Sequence, residues 1–162
     1  MPTNYEVAFE RRPGVYAAWQ QLAGAVKANM DQRRYELATL AAAQKLKSSY
    51  CSLAHGKILQ ADLGEDVPAI LRGETLSEVD VAVMDLAAQV AEDATVTDAA
   101  RERLRGLGLS DEEIMDVVLT AAIRCFFSKT LDGLGVLPDA VYGELAPELR
   151  AVLVVGRPIA GA

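Results

Sequence analysis

The chain has 162 residues, 51% of them hydrophobic and 24% charged, a composition that suits one globular domain with its own core and excludes a disordered chain. The net charge is −7 with no basic run, which excludes an electropositive nucleic-acid face or an anionic-lipid surface as the expected partner. Two cysteines do not make a disulfide scaffold, no apolar run nears the roughly 18 residues of a membrane span, and the first residues lack the apolar stretch of a secretion signal, so the cytoplasm is the expected location.

Alanine is abundant and the apolar residues recur at helical spacing with little alternation, which predicts an all-α protein. Residues 1–12 read as an arm, mobile or docked on a partner, and 13–158 as a single helical domain. Pro13 can open a first helix reaching about Asn29, with Tyr16, Trp19, Leu22, Ala23 and Val26 as its apolar stripe. Asp31 is a candidate N-cap for a second helix, about Gln32 to Lys47, in which Glu36 borders an apolar face. A buried carboxylate there needs a partner or a proton. A third helix runs from about Ser49 to Leu63 and closes at Gly64; its short connection to the second makes the two an antiparallel pair. Asp66 to Leu71 reads as a short helix closed by Gly73. Ser77 with Asp80 opens the next, to about Asp93, and Thr97 to Arg105 another, stopped by Gly106 and Gly108. Ser110 with Glu113 is a capping box that starts the longest helix, to about Leu131. Two short pieces, Ala140–Glu144 and Pro147–Val154, precede a tail from Gly156 to Ala162 without periodicity.

The chemistry concentrates between Tyr35 and Leu59. Ser48, Cys51 and His55, the only histidine, fall at i, i+3 and i+7, on one face of a helix. A thiol in the first turn meets the positive end of the helix dipole, and a neighbouring imidazole can accept its proton; both favour the reactive thiolate. Each residue also has a plainer reading: Cys51 as a small buried apolar group, His55 as a hydrogen-bonded core residue, Ser48 as an N-cap for the N–H of Cys51, Glu36 as a surface carboxylate. Cys125 lies on the apolar stripe of Ile114, Val118 and Ala121, which makes it core, with a redox role as the alternative. The acidic clusters at helix starts suit caps and dipoles, one histidine without Cys-x-x-Cys supplies zinc poorly, and no phosphate-binding loop is visible, so no metal or cofactor is expected.

Glu36, eleven intervening residues, then Ser48-Ser49-Tyr50-Cys51-Ser52-Leu53-Ala54-His55 resembles the AhpD-like (alkylhydroperoxidase D-like)/carboxymuconolactone decarboxylase superfamily, whose redox branch carries Glu, eleven residues, and Cys-x-x-Cys-x-x-x-His. Arg12-Pro13, Trp19 and the stretch from Phe126 to Pro138 extend the likeness over about residues 10–158. The first motif cysteine is Ser48 here. The resemblance implies an AhpD-like helical bundle and a thiol peroxidase. Cys51 would be the nucleophile, His55 its base and proton relay, and Glu36 the residue that orients His55, with Tyr50 lining the pocket. Ser48 would stand in the place of the resolving cysteine, so a sulfenic acid at Cys51 would await another thiol, either Cys125 or an external one. The partners implied are a hydroperoxide, a thiol reductant and further copies of the chain, as a trimer or hexamer. Two alternatives stay open: a decarboxylase or lactone-processing relative that works through His55 without Cys51, and a non-catalytic helical oligomerisation module.

Overall fold

A computed structural model describes residues 1–161; Ala162, the end of the aperiodic tail, lies outside them. Among the described residues there are nine α-helices and no strand: α1 (Asn4–Phe9), α2 (Pro13–Lys27), α3 (Gln32–Lys45), α4 (Ser49–Ala61), α5 (Val67–Arg72), α6 (Glu78–Asp93), α7 (Asp98–Gly106), α8 (Asp111–Gly133) and α9 (Pro147–Leu153), with 3₁₀ turns at Ala94–Val96 and at the expected short piece Ala140–Glu144. The expected helix starts are where the chemistry puts them. The Asp31 carboxylate accepts from the Arg34 N–H at 2.9 Å, and Ser77 with Asp80 and Ser110 with Glu113 form reciprocal capping boxes. None of the described helices is long and apolar enough to cross a membrane.

The core is organised around α3. Every residue from Tyr35 to Ala43 is buried, so this helix has no solvent face over more than two turns. Its small side chains, Ala38, Ala41 and Ala42, pack with Ala82, Val83, Leu86 and Ala87 of α6 and with Val117 and Ala121 of α8. Leu37 and Leu40 face the other way, onto Leu53 and Leu59 of α4, Ile70 of α5 and Leu153 of α9. The expected α3–α4 pair is present, but α3 packs most extensively on α6, because alanines on both helices let the backbones approach closely.

Residues 1–12, which the sequence predicts as an arm, contain a helix. Thr3 and Glu6 form a capping box at the start of α1, and the Asn4 N–H donates to Asp139 Oδ1 at 2.7 Å. Phe9 is buried, stacked on Phe127 of α8 with ring centres 5.8 Å apart, and Tyr5 meets Tyr50 edge-on. The arm therefore docks on its own chain, and Tyr5 and Phe9, one helical turn apart, are the apolar anchors that hold it.

Candidate active site

The site begins at the connection from α3 to α4. Leu46 caps α3, Lys47 takes the left-handed conformation (φ +54°), and the Ser48 N–H returns to Ala43 O at 3.0 Å. Gly156 of the tail seals this turn. Its N–H donates to Ser49 Oγ at 2.8 Å, and a Cβ on it would stand 2.0 Å from the carbonyl oxygen of Lys47. The chain then enters α4 with Cys51 as its third residue, near the unpaired amides of the first turn, and His55 one turn on. Ser48 is the N-cap residue by backbone conformation, but its hydroxyl makes no bond to the N–H of Cys51, contrary to expectation. The side chain is wholly buried, near the Asp132 carboxyl. Burial pushes the Asp132 carboxyl up, with the Ser48 hydroxyl and Arg157 opposing, although Ser48 Oγ reaches no partner in full hydrogen-bond geometry.

His55 is held at both ring nitrogens. Nδ1 lies 2.5 Å from Oε2 of Glu36, which comes from α3 and is fully buried. Nε2 lies 3.0 Å from Nη1 of Arg124 on α8. A guanidinium only donates, so Nε2 must be the acceptor and Nδ1 must carry the proton that goes to Glu36. This network assigns a neutral imidazole. Burial pushes the His55 pKa down, the Glu36 bond opposes, and the charges of Arg124 and Lys27 push it down further. The second carboxylate oxygen, Oε1, lies 3.7 Å from Nζ of the half-exposed Lys27 of α2.

Cys51 is buried, and its sulfur accepts from Ser128 Oγ at 3.1 Å. No hydrogen bond joins Cys51 to His55, so the direct thiol–imidazole contact expected from their spacing is not made. The reason is tertiary: Arg124 occupies the one free lone pair of the ring. Both side chains nevertheless line one cavity of about 270 Å³, together with Glu36, Tyr50, Arg124 and Lys27 and the aromatic walls of Trp19, Tyr35 and Phe127. Tyr50 also donates its hydroxyl to Asp139; burial and that bond push its pKa well up, so it stays a neutral donor that ties α4 to the residues after α8.

Cys125 is half-buried on a different face of α8, packed beside the cluster that joins α3, α6 and α8, while Cys51 packs among Phe9, Tyr50, Phe127 and Leu131. Burial pushes the Cys125 thiol up, and neither cysteine is in a disulfide. The fold therefore does not bring the two sulfurs together. It does bring together three residues that the sequence reading passed over: Arg124, Ser128 and Lys27. A signal for two of them was present, since Arg124 and Ser128 are one helical turn apart inside an otherwise apolar stretch of α8. Among the described residues, no group of three or more His, Cys, Asp or Glu side chains is placed to hold a metal ion.

No known family pattern matches the chain, and no curated protein does. Solved structures do. A peroxidase-related protein from Ralstonia eutropha JMP134, described as an alkylhydroperoxidase AhpD core, superposes with a TM-score of 0.75 at 20% identity over 96% of this chain and 83% of its own. A peroxidase-related protein from Silicibacter sp. TM1040 gives 0.77 at 20% identity, over 89% of this chain and 80% of its own. A protein of unknown function from Agrobacterium tumefaciens, described as a candidate AhpD antioxidant defence protein, gives 0.71 at 18% identity, over 86% and 95%. The chain thus has the AhpD-like helical fold.

Proposed function

We propose that this protein is a thiol peroxidase of the alkylhydroperoxidase type, with Cys51 as nucleophile and His55 and Glu36 as its proton relay. The observation that carries the reading is one small cavity lined by a buried sulfur with a single hydroxyl donor and by a histidine bonded to a buried carboxylate. The Cys51 thiolate attacks one oxygen of the hydroperoxide, the O–O bond breaks, and the alkoxide leaves and takes a proton. Sulfur is oxidised to the sulfenic acid and the peroxide is reduced to the alcohol. Once Arg124 Nη1 releases Nε2, the proton passes from Cys51 to that nitrogen through cavity water and on to the departing alkoxide, and Glu36 holds the ring in the tautomer that can receive it. An external thiol condenses with the sulfenic acid, releasing water, and a second thiol returns Cys51 to the reduced state. Ser48 cannot form a local disulfide, and Cys125 packs in another part of the core. The reading needs no bound cofactor.

Peroxide consumption driven by dithiothreitol or glutathione tests this. Cys51→Ser is expected to abolish turnover, and His55→Ala to lower it by about 10²–10⁴-fold, the usual contribution of a positioned acid–base group. Equal rates for wild type and Cys51→Ser would falsify the proposal. The missing Cys51–His55 bond favours one second reading, a lyase in which His55 and Glu36 act without sulfur. Turnover of a lactone acid that survives Cys51→Ala and is lost with His55→Ala would establish it. Self-association is part of the proposal. An apolar groove between α2 and α8, lined by Val15, Leu22, Leu119 and Phe126, leaves Leu22 52% and Phe126 45% exposed, and light scattering should report more than one copy.

A further inference from the structure

Arg124 is a buried cation that lacks a carboxylate partner. The residue is 3% exposed, and none of the ion pairs among the described residues includes it. Nη1 donates to a neutral imidazole, and Nε is buried with no acceptor among the described residues. Its charge is met only by aromatic faces, with the guanidinium carbon 5.3 Å from the ring centre of Trp19 and 5.7 Å from that of Phe127. A guanidinium taken out of water without an anion is costly, and the arrangement is balanced when an anion completes it. Lys27 adds a second positive charge to the lining, while Glu36 is the one carboxylate there, already bonded to His55. With His55 neutral and Cys51 as the thiol, the lining carries one net positive charge, from Arg124 and Lys27 against Glu36.

We propose that the cavity takes substrates bearing a carboxylate, which docks on the Arg124 guanidinium with Lys27 on the solvent side while the apolar remainder lies against Trp19 and Phe127. This rests on the peroxidase reading and names its substrate class, organic hydroperoxides that are also carboxylic acids. A planar carboxylate matches the fork of guanidinium N–H groups, and a volume of about 270 Å³ limits the occupant to a small organic acid or to part of a longer one. Docking has a second consequence. The incoming carboxylate competes with His55 Nε2 for the same guanidinium, so the lone pair needed for the proton of Cys51 becomes free when substrate is present. Arg124 would then be a binding residue that also positions the base.

Trp19 is the only tryptophan and stacks on Phe127 with centres 4.0 Å apart, so its fluorescence reports on the cavity. Titrating the wild-type protein with hexanoate and, separately, with hexanamide compares a carboxylate with its neutral counterpart. The expected result is a saturable change with hexanoate at an affinity at least tenfold above that for hexanamide, and a ratio near one in Arg124→Gln. Equal affinities in wild type, no saturable change with either, or a ratio retained in Arg124→Gln of wild-type circular dichroism would each overturn the proposal. Should Arg124→Gln not fold, Arg124→Lys and Lys27→Met decide it: the ratio must fall in both, and an unchanged ratio counts against it. Hexanoate is not a peroxide, so loss of selectivity leaves the peroxidase reading standing, and absence of peroxide turnover leaves the selectivity measurable.

Discussion

His55 allows a clean test of the electrostatics of the site, because it is the only histidine in the chain. Its ordinary pKa is 6.5, and burial, reinforced by the charges of Arg124 and Lys27, pushes it below that in the folded protein against the pull of Glu36. The unfolded chain therefore takes up a proton near pH 6.5 that the folded chain refuses. More protons on the unfolded side mean that stability falls as the pH drops through that value toward the depressed folded one. An imidazole that stays neutral throughout contributes at most about 1.4 kcal/mol between pH 7.5 and 5.5, one proton at ~1.36 kcal/mol per pH unit with the curvature near the midpoint included. In urea that is a loss of roughly 0.5–1.4 M in the midpoint, using slopes of about 1–3 kcal/mol/M. Urea unfolding at half-unit steps, wild type beside His55→Gln, isolates this from the carboxylates, which titrate in both proteins. The difference between the two curves should be constant above pH 7.5 and shift on acidification, with wild type losing more. A wild type that gains stability relative to His55→Gln as the pH falls would mean that the Glu36 bond outweighs burial and both cations. The neutral tautomer assigned to His55 would then be wrong.

Three further outcomes follow from particular contacts. Ser128→Ala removes the one hydrogen-bond donor to the Cys51 sulfur; bonds to charged groups are worth about 1.5–3 kcal/mol, so the rate of Cys51 alkylation by iodoacetamide at neutral pH should fall by about 10- to 100-fold, and an unchanged rate denies the bond any role in reactivity. Ser48→Cys should convert the peroxide-treated protein from a mixed disulfide with added glutathione to an internal Cys51 disulfide, distinguishable by intact mass; a persistent glutathione adduct would show that position 48 is too deeply buried to resolve the sulfenic acid. Gly156→Ala forces a methyl to within 2.0 Å of Lys47 O, which demands that the tail or the α3–α4 turn give way; overpacking of this kind costs about 1–3 kcal/mol, and a melting temperature equal to wild type would show that the tail does not seal the turn.

The helical class, most helix boundaries and the face shared by Cys51 and His55 were legible in the chain alone, because caps, glycine stops and apolar periodicity act over a few neighbouring residues. Ser77 with Asp80, Ser110 with Glu113 and Gly73 are such local signals, and each ends or begins a helix where expected. The helix in residues 1–12 carries a local cap of the same kind, Thr3 with Glu6, but where it docks depends on Tyr5 and Phe9, which have meaning only against Phe127 and Tyr50, more than 40 residues away in sequence. The same holds for the site. That Glu36 reaches His55 could be suspected from a short turn between neighbouring helices. That the imidazole lone pair is held by Arg124, and that the sulfur is held by Ser128, depends on how α8 lies across α3 and α4. Spacing along one helix determines which side chains share a face. Which of them meet, and which proton each carries, is decided by groups brought in from other helices, since a hydrogen bond depends on distances of a few ångströms that only packing sets.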